Sequence, residues 1–416
     1  MFSIKLKKAQ FQPDPIDALE QLIPTANPIQ KYEIYHLIAD CYFSDYEFKK
    51  STKYNRLALE QYKESVMIRF KLADRMHALA NTPDKLNMII KILKRAIGMT
   101  VNPKLPRHLL EAEQEFLGRA REKLCLIYCQ MGKNEKAYQL LDEMNFTHRL
   151  SSYVLDYGST IPLECPNAAC FDDFLDWNSF NQLFNVFKSQ SAFWKEFGYH
   201  EFKNTGYFSF VYDLSKEPVN IVEQYIKLQY QQLEKVFPEK YKNIRYGEWW
   251  AHCRPHYMGH QFHYDSDNEG KGELRHPLLS SVLYLTEGVG GPTILTNQRL
   301  GDDLADRGWL VEPKENRVLF FDSKYLHGVV PGKGTADIDK RRISFMVGYW
   351  DKIEISNQHT TGANRIYRGS MPGGDIKLGR MKDGTVNGIK SVWQNIDGTE
   401  LESYELPNYD LCFQGF

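Results

Sequence analysis

Two hydrophobic rhythms divide this chain. Between Lys31 and Phe146 apolar residues recur three and four apart, as in "YEIYHLIADCYF" and "KLNMIIKILKRAI", with glycine scarce and proline between segments. That interval keeps apolar side chains on one face of an α-helix, so the region reads as helical hairpins. Beyond Arg254 the rhythm becomes short β-runs punctuated by glycine: "SSVLYLTE", "GGPTILTNQ", "RVLFFDS" and "RRISFMVGYW". Runs this short point to a β-sandwich or small barrel rather than an α/β sheet. Between the two, "YGSTIPLECPNAAC" reads as a boundary loop, "FDDFLDWNSFNQLFNVFKS" as a helix opened by an acid near Leu175, and "GYFSFVYDL" and "RYGEWWAHCRPHY" as strands flanking a second helix from Val219 to about Val236. At 416 residues the chain exceeds what one core usually serves. The expected class is α+β: an all-α helical-hairpin module over 1–150, a β-rich domain with flanking helices over 151–352, and an extension over 353–416.

One helical segment is more specific. Leu124, Cys125, Tyr128, Gly132, Ala137 and Leu141 fall where a tetratricopeptide repeat carries its large, small, aromatic, turn, small and large residues. Arg121 stands at the leading tryptophan position and Arg149 at the closing proline position, while Ile38, Ala39 and Tyr42 repeat only the first half. The region resembles a degenerate tetratricopeptide-like array of hairpins; an ordinary helical bundle packed on the next domain is the alternative. A solenoid offers a partner a concave face, whereas a bundle only buttresses.

Composition removes several classes. Lys plus Arg number 52 against 53 for Asp plus Glu, with no basic run, so nucleic acid is not an expected partner. No segment approaches 18 uninterrupted apolar residues, and "MFSIKLKKAQFQPD" carries charge before an apolar run reaches signal length. Neither a membrane span nor a signal peptide is expected, and a cytoplasmic location is. Seven cysteines without a CxxC pair read as reduced, small hydrophobes. Oligomeric state is left open.

The chemistry lies in "GHQFHYDSDNEG", residues 259–270. In a β-strand, His263 and Asp265 leave the same face and point at one spot. The later β-run "LHGVV" brings His327. Two imidazoles and one carboxylate on one face of an octahedral ion leave three positions open, and this mixed N/O set suits Fe(II) rather than thiolate-seeking zinc. In "KRRISF", residues 340–345, Arg342 and Ser344 share a strand face from which a guanidinium and a hydroxyl grip a carboxylate. Two rivals sit nearby. Alternation puts His260, three residues before His263, on the opposite face, and turns Arg341 away from Ser344. His252 and His256 read as strand or loop polar residues, with support of the centre from behind as the alternative, and Asp267 as a cap on the turn into "NEGKGE".

"HYD", "LHGVV" and "RRISF", in this order within glycine-punctuated strands, resemble the Fe(II)/2-oxoglutarate-dependent dioxygenases, particularly their prolyl-4-hydroxylase-like branch, over roughly residues 170–352. The resemblance implies a double-stranded β-helix, or jelly roll, with Fe(II) held by His263, Asp265 and His327. It implies 2-oxoglutarate as co-substrate, anchored by Arg342 with Ser344 and touched by Tyr257, and dioxygen as oxidant. The anchor is arginine where prolyl hydroxylases carry lysine, so a collagen-type substrate does not follow. Asp265 fills the place that halogenases of the superfamily give up to chloride. Hydroxylation of an aliphatic carbon, with release of succinate and carbon dioxide, is therefore implied; desaturation and ring closure stay open. The expected substrate is a protein side chain delivered by the helical module or a small metabolite. The other classes are a non-catalytic helical-repeat scaffold with a metal-binding cupin-like barrel, and a metabolite-binding cupin-like protein with zinc. After Asp351 the glycine-rich, polar segment reads as an extra hairpin on the barrel or a lid over its mouth.

Overall fold

The computed structural model describes the chain except residues 1, 46, 81, 104, 156–159, 162, 198–207, 267–273, 335, 338, 357–361 and 416, so Asp267 lies outside the described residues. The first part is helical: α1 (Phe2–Gln10), α2 (Pro15–Glu20), α3 (Pro28–Ser44), α4 (Phe48–Gln61), α5 (Val66–Ala78), α6 (Pro83–Ile97), α7 (Arg107–Gln130) and α8 (Asn134–Glu143). Neighbours pack as hairpins, α3 on α4, α5 on α6 and α7 on α8. The starts have local chemical causes. Asn27 and Gln30 form a reciprocal capping box before α3, and Ser65 and Thr82 accept backbone N–H groups at the starts of α5 and α6. Helix α7 closes on Gly132, whose φ of +66° is left-handed and favours glycine; its N–H donates to the Cys129 carbonyl and that of Lys133 to Tyr128. Ala137 and Leu141 of α8 are then buried in one cluster with Leu124, Cys125 and Tyr128 of α7. Buried Glu113 of α7 ties three helices together by accepting from Tyr32 (3.0 Å), Ser65 (2.6 Å) and the Met67 N–H (3.0 Å).

The rest of the chain is β1 (His148–Leu150), α9 (Ser152–Leu155), β2 (Ala168–Asp172), α10 (Trp177–Phe187), α11 (Ala192–Phe197), β3 (Phe208–Asp213), α12 (Ile221–Val236), α13 (Pro238–Tyr241), β4 (Tyr246–Arg254), β5 (His260–His263), β6 (Leu279–Tyr284), β7 (Thr293–Arg299), β8 (Gly308–Val311), β9 (Arg317–Phe321), β10 (Tyr325–Val329), β11 (Arg342–Trp350), β12 (Gly362–Arg365), β13 (Lys382–Asp383), β14 (Asn387–Ile389), β15 (Trp393–Asn395) and β16 (Cys412–Phe413). An eight-stranded sheet runs β12-β3-β4-β11-β6-β9-β2-β13, and a five-stranded sheet runs β14-β8-β7-β10-β5. A small third sheet, β15-β1-β16, joins the helical part to the end of the chain.

Side-chain alternation assigns each face. On β11, Arg342, Ser344 and Met346 face a cavity between the two larger sheets, while Phe345 packs outward on Phe187 of α10 (5.1 Å between centroids) and Tyr225 of α12 (5.5 Å). On the five-stranded sheet Leu295, Trp309 and Val311 join the inner core, whereas Phe262, Ile294, Leu310 and Leu326 belong to the cluster that contains α6, α7 and α8. Burying one such side chain contributes about 1.5–3 kcal/mol, so the helices cover a face that would otherwise be apolar and wet. The segment after Asp351, expected as a hairpin or lid, runs round the molecule instead and lends strands to all three sheets: β12 beside β3, β13 beside β2, β14 beside β8, and β15 and β16 on either side of β1. Such additions cover edges that would invite pairing with other chains. All seven cysteines are unbridged, and among the described residues no helix is long and apolar enough to cross a membrane.

A buried ion pair joins β2 to β9. Arg317 Nε and Nη2 reach the two Asp172 carboxylate oxygens at 2.6 and 3.1 Å, and Lys314 adds a contact at 2.7 Å. Burial works against the carboxylate, but Arg317 and Lys314 outweigh it and hold the Asp172 pKa below its ordinary value. A depressed carboxyl stabilises the fold above the unfolded-state titration at roughly pH 4, and that contribution is lost as pH falls through the folded-state value. Asp172→Asn is expected to lower stability by about 3 kcal/mol at neutral pH, because it leaves Arg317 buried without its carboxylate. Urea unfolding checks this, and the gap from the parent protein should close on acidification.

Candidate metal centre

The site is assembled at the edge of the five-stranded sheet. Strand β10 places His327 directly opposite His263 of β5, and the chain then leaves the sheet with Asp265 two residues beyond. Asp265 Oδ1 lies 3.5 Å from His263 Nε2 and 3.6 Å from His327 Nε2, and one ligand atom from each residue falls within 4.8 Å of the others. These are spacings at which three donors share one cation.

The atoms behind these donors set their protonation. His263 Nδ1 donates to the Gln261 carbonyl (2.8 Å) and His327 Nδ1 to the Tyr325 carbonyl (2.9 Å). With the proton on Nδ1, each ring turns an Nε2 lone pair toward Asp265, the form a metal requires. Asp265 Oδ2 accepts from Ser280 (2.5 Å), whose hydroxyl also meets Ser323 (2.8 Å), and the Asp265 carbonyl pairs with His276 Nδ1 (2.8 Å). One carboxylate oxygen is thereby anchored and the other faces the imidazoles. Burial pushes the Asp265 pKa up, but the His327 and His263 rings overcome this and carry it well below the carboxylate range. Burial likewise opposes protonation of His263, and the Asp265 carboxylate reverses it to a net rise. Asp265 therefore favours a positive charge beside it, and the rise at His263 reports that same carboxylate; a divalent cation on the Nε2 atoms would take the place of a proton there.

The same cavity, roughly 490 Å³ of unfilled space including its mouth, contains a second polar group. Arg342 Nη1 donates to Ser344 Oγ and Nη2 to Thr293 Oγ1, both at 3.2 Å. Tyr284, whose phenol burial pushes up to about 12, donates to Thr293 Oγ1 at 2.6 Å, and the Arg342 guanidinium lies over its ring at 5.4 Å. The two hydroxyls accept from Arg342, so each keeps a proton to donate; a guanidinium flanked by such hydroxyls recognises a carboxylate. Trp250, Val282, Met346 and Phe321 supply apolar wall. Arg341, just before β11, turns instead to the helical part, with its guanidinium over the Phe48 ring of α4 at 4.9 Å.

Two expectations need correction. Tyr257, expected to touch a co-substrate, does not line this cavity: beyond β4 the chain turns out of the sheet, and the phenol lies against the helical part, bonded to Asp74 (3.3 Å) with its ring 5.0 Å from that of His77. His260, expected on the far face of β5, lines the cavity and stacks on His263 with centroids 4.5 Å apart. The cause is a bulge: three steps on β5, from His260 to His263, oppose two on β10, from Val329 to His327, and the extra residue undoes the alternation. His252 also lines the cavity; burial, with Arg254 adding, lowers its pKa far, and that of His260 falls to about 2, so both rings are neutral. Sequence reasoning missed Ser280, Ser323, Thr293 and Tyr284; the sole signal was a pair of serines opening the apolar run of β6.

No protein-family model and no curated protein matches this chain. Among solved structures it is similar to a prolyl-4-hydroxylase of Pseudomonas putida, 19% identical over 34% of this chain and 71% of that one, with a TM-score of 0.24. A likeness of that size carries no functional inference, and the geometry of the centre stands on its own.

The protein is expected to bind one divalent first-row ion per chain, with binding abolished in His327→Ala. Ser280→Ala, which frees the anchored Asp265 oxygen, should weaken affinity about 10- to 100-fold. Anaerobic metal titration checks both, and unchanged affinity in His327→Ala would remove the centre.

Proposed function

We propose that the chain is an Fe(II)- and 2-oxoglutarate-dependent dioxygenase that hydroxylates an aliphatic carbon of a protein side chain or a small metabolite, releasing succinate and carbon dioxide. The observation that carries this reading is the shared cavity, which holds both the His263, Asp265 and His327 donors and the Arg342, Thr293 and Ser344 cradle. Two neutral imidazoles and one carboxylate on one side of an ion fit Fe(II) with open positions. Bound there, iron supplies the stepwise reduction of dioxygen that amino-acid side chains cannot perform.

The remaining work falls to the chain. The Gln261 and Tyr325 carbonyls hold both imidazoles in the ligating tautomer, and Ser280 fixes Asp265. Arg342, with the protons of Ser344 and Thr293, grips the far carboxylate of 2-oxoglutarate and so orients its keto acid end toward the ion. The apolar wall keeps water from the reacting carbon. Two further features support the wider reading. The two larger sheets, whose strands come from 151–352 apart from β12, β13 and β14, enclose one cavity and support a double-stranded β-helix, and the α7–α8 hairpin supports a tetratricopeptide-like module within 1–150.

Anaerobic addition of 2-oxoglutarate to the Fe(II)-loaded protein is expected to give a weak visible charge-transfer band that saturates at one equivalent per chain. Arg342→Ala should raise the 2-oxoglutarate Kd by about tenfold or more, the cost of losing a charged hydrogen-bond partner, while leaving Fe(II) affinity intact. Metal binding without the band would favour a cupin-like binding protein.

A further inference from the structure

Three loops meet at the end of the sheets where β11 begins: residues 255–259 between β4 and β5, 285–292 between β6 and β7, and 330–334 after β10. His256 joins them. Its Nδ1 accepts the Gly290 N–H (3.0 Å), its Nε2 donates to the Lys333 carbonyl (3.1 Å), and its own carbonyl accepts the Gly332 N–H (2.8 Å). These ring bonds define a neutral imidazole with its proton on Nε2. Burial lowers the ring's pKa, the Lys333 carbonyl pulling against it, which favours that form.

Gly290 is pressed on Arg342. Its φ is +76°, and a Cβ at this position would stand 2.3 Å from Arg342 Cδ and 2.9 Å from Arg342 Cβ. The Gly290 backbone is therefore flush with the aliphatic stem of the arginine, whose far end is held by Ser344 and Thr293. His256 does not itself line the cavity. Its contact with the cavity's cation runs through one backbone amide.

We propose that His256 is a positioning residue for Arg342: by holding the Gly290 backbone in its left-handed conformation against the arginine stem, it sets the point from which the guanidinium receives an anion. The identity of that anion, the far carboxylate of 2-oxoglutarate, rests on the dioxygenase reading; the loop contact does not.

Three variants separate this role from general support of the fold. Asparagine carries an acceptor oxygen as many bonds from Cβ as Nδ1, so His256→Asn keeps the partner of the Gly290 N–H and drops the bond to Lys333. His256→Gln reaches past Gly290, and His256→Ala removes both bonds. In the full-length, Fe(II)-loaded protein under anaerobic conditions, His256→Ala and His256→Gln should raise the 2-oxoglutarate Kd about tenfold, while His256→Asn stays within about twofold of the parent; losing one hydrogen bond has an effect of this order. Fe(II) affinity should be equal in all four proteins. Hydrogen exchange of a peptide spanning residues 286–292, followed without any ligand, should be faster in the alanine and glutamine variants only. Equal 2-oxoglutarate affinity in parent and alanine variant, an asparagine variant as weak as the glutamine one, or unchanged exchange would overturn the proposal. A parent protein that takes no 2-oxoglutarate sinks the dioxygenase reading instead, and the exchange measurement then decides the His256–Gly290 contact alone.

Discussion

The cross-strand pairing of His263 with His327 is the constraint from which the centre follows. With β5 and β10 in this register, two imidazoles come from neighbouring strands of one sheet and their rings lie 4.4 Å apart. Two such rings with both Nε2 atoms turned to one point have little to hold them there except a shared proton, a carboxylate or a cation. The backbone answers the first possibility by taking the Nδ1 protons, and Asp265 answers the second, while Ser280, itself bonded to Ser323, reaches across from the facing sheet to fix its outer oxygen. The bulge beside the pair is part of the same construction, since it brings His260 onto the cavity wall.

The facing sheets divide the chemistry between them. The five-stranded sheet contributes both histidines, and the eight-stranded sheet contributes Arg342 and Ser344 from its central strand β11. Thr293 of β7 crosses the gap by accepting from Arg342 and Tyr284, so the cation is referenced to both sheets. The helical part belongs to this design for a simple reason. Alternation that turns His263 and His327 inward turns Phe262 and Leu326 outward, and those side chains share the apolar cluster of α6 to α8. The helices thus support the strands that carry the donors, whatever else they bind.

Much of this is legible in the residues alone, and the failures have identifiable causes. The change from a helical to a β rhythm is written in apolar spacing over many residues, as is the α7–α8 hairpin closed by Gly132. Arg342 and Ser344 lie in a regular strand, where a period of two sorts inward from outward side chains, whereas His327 sits between two register shifts of β10 and is marked only by its residue type within "LHGVV". His260 and Tyr257 lie where that period fails: one at a bulge, whose extra residue has no mark in the sequence, the other on a turn whose direction depends on distant helices. Ser280 and Thr293 act through contacts between strands far apart in the chain. The strands after Asp351 are only two to four residues long, too short to show alternation, and exist because edges elsewhere are open to them.

The function of this cavity turns on whether it lets iron couple dioxygen to the cleavage of a keto acid. The decisive measurement is succinate formed per chain when metal-stripped protein is reloaded anaerobically with either Fe(II) or Zn(II), given 2-oxoglutarate and then exposed to air. Slow succinate release from the Fe(II) form, none from the Zn(II) form, and loss of release in Asp265→Ala is the predicted result. No succinate from the Fe(II) form, or equal amounts with both metals, would show that the three donors hold an ion for some other purpose.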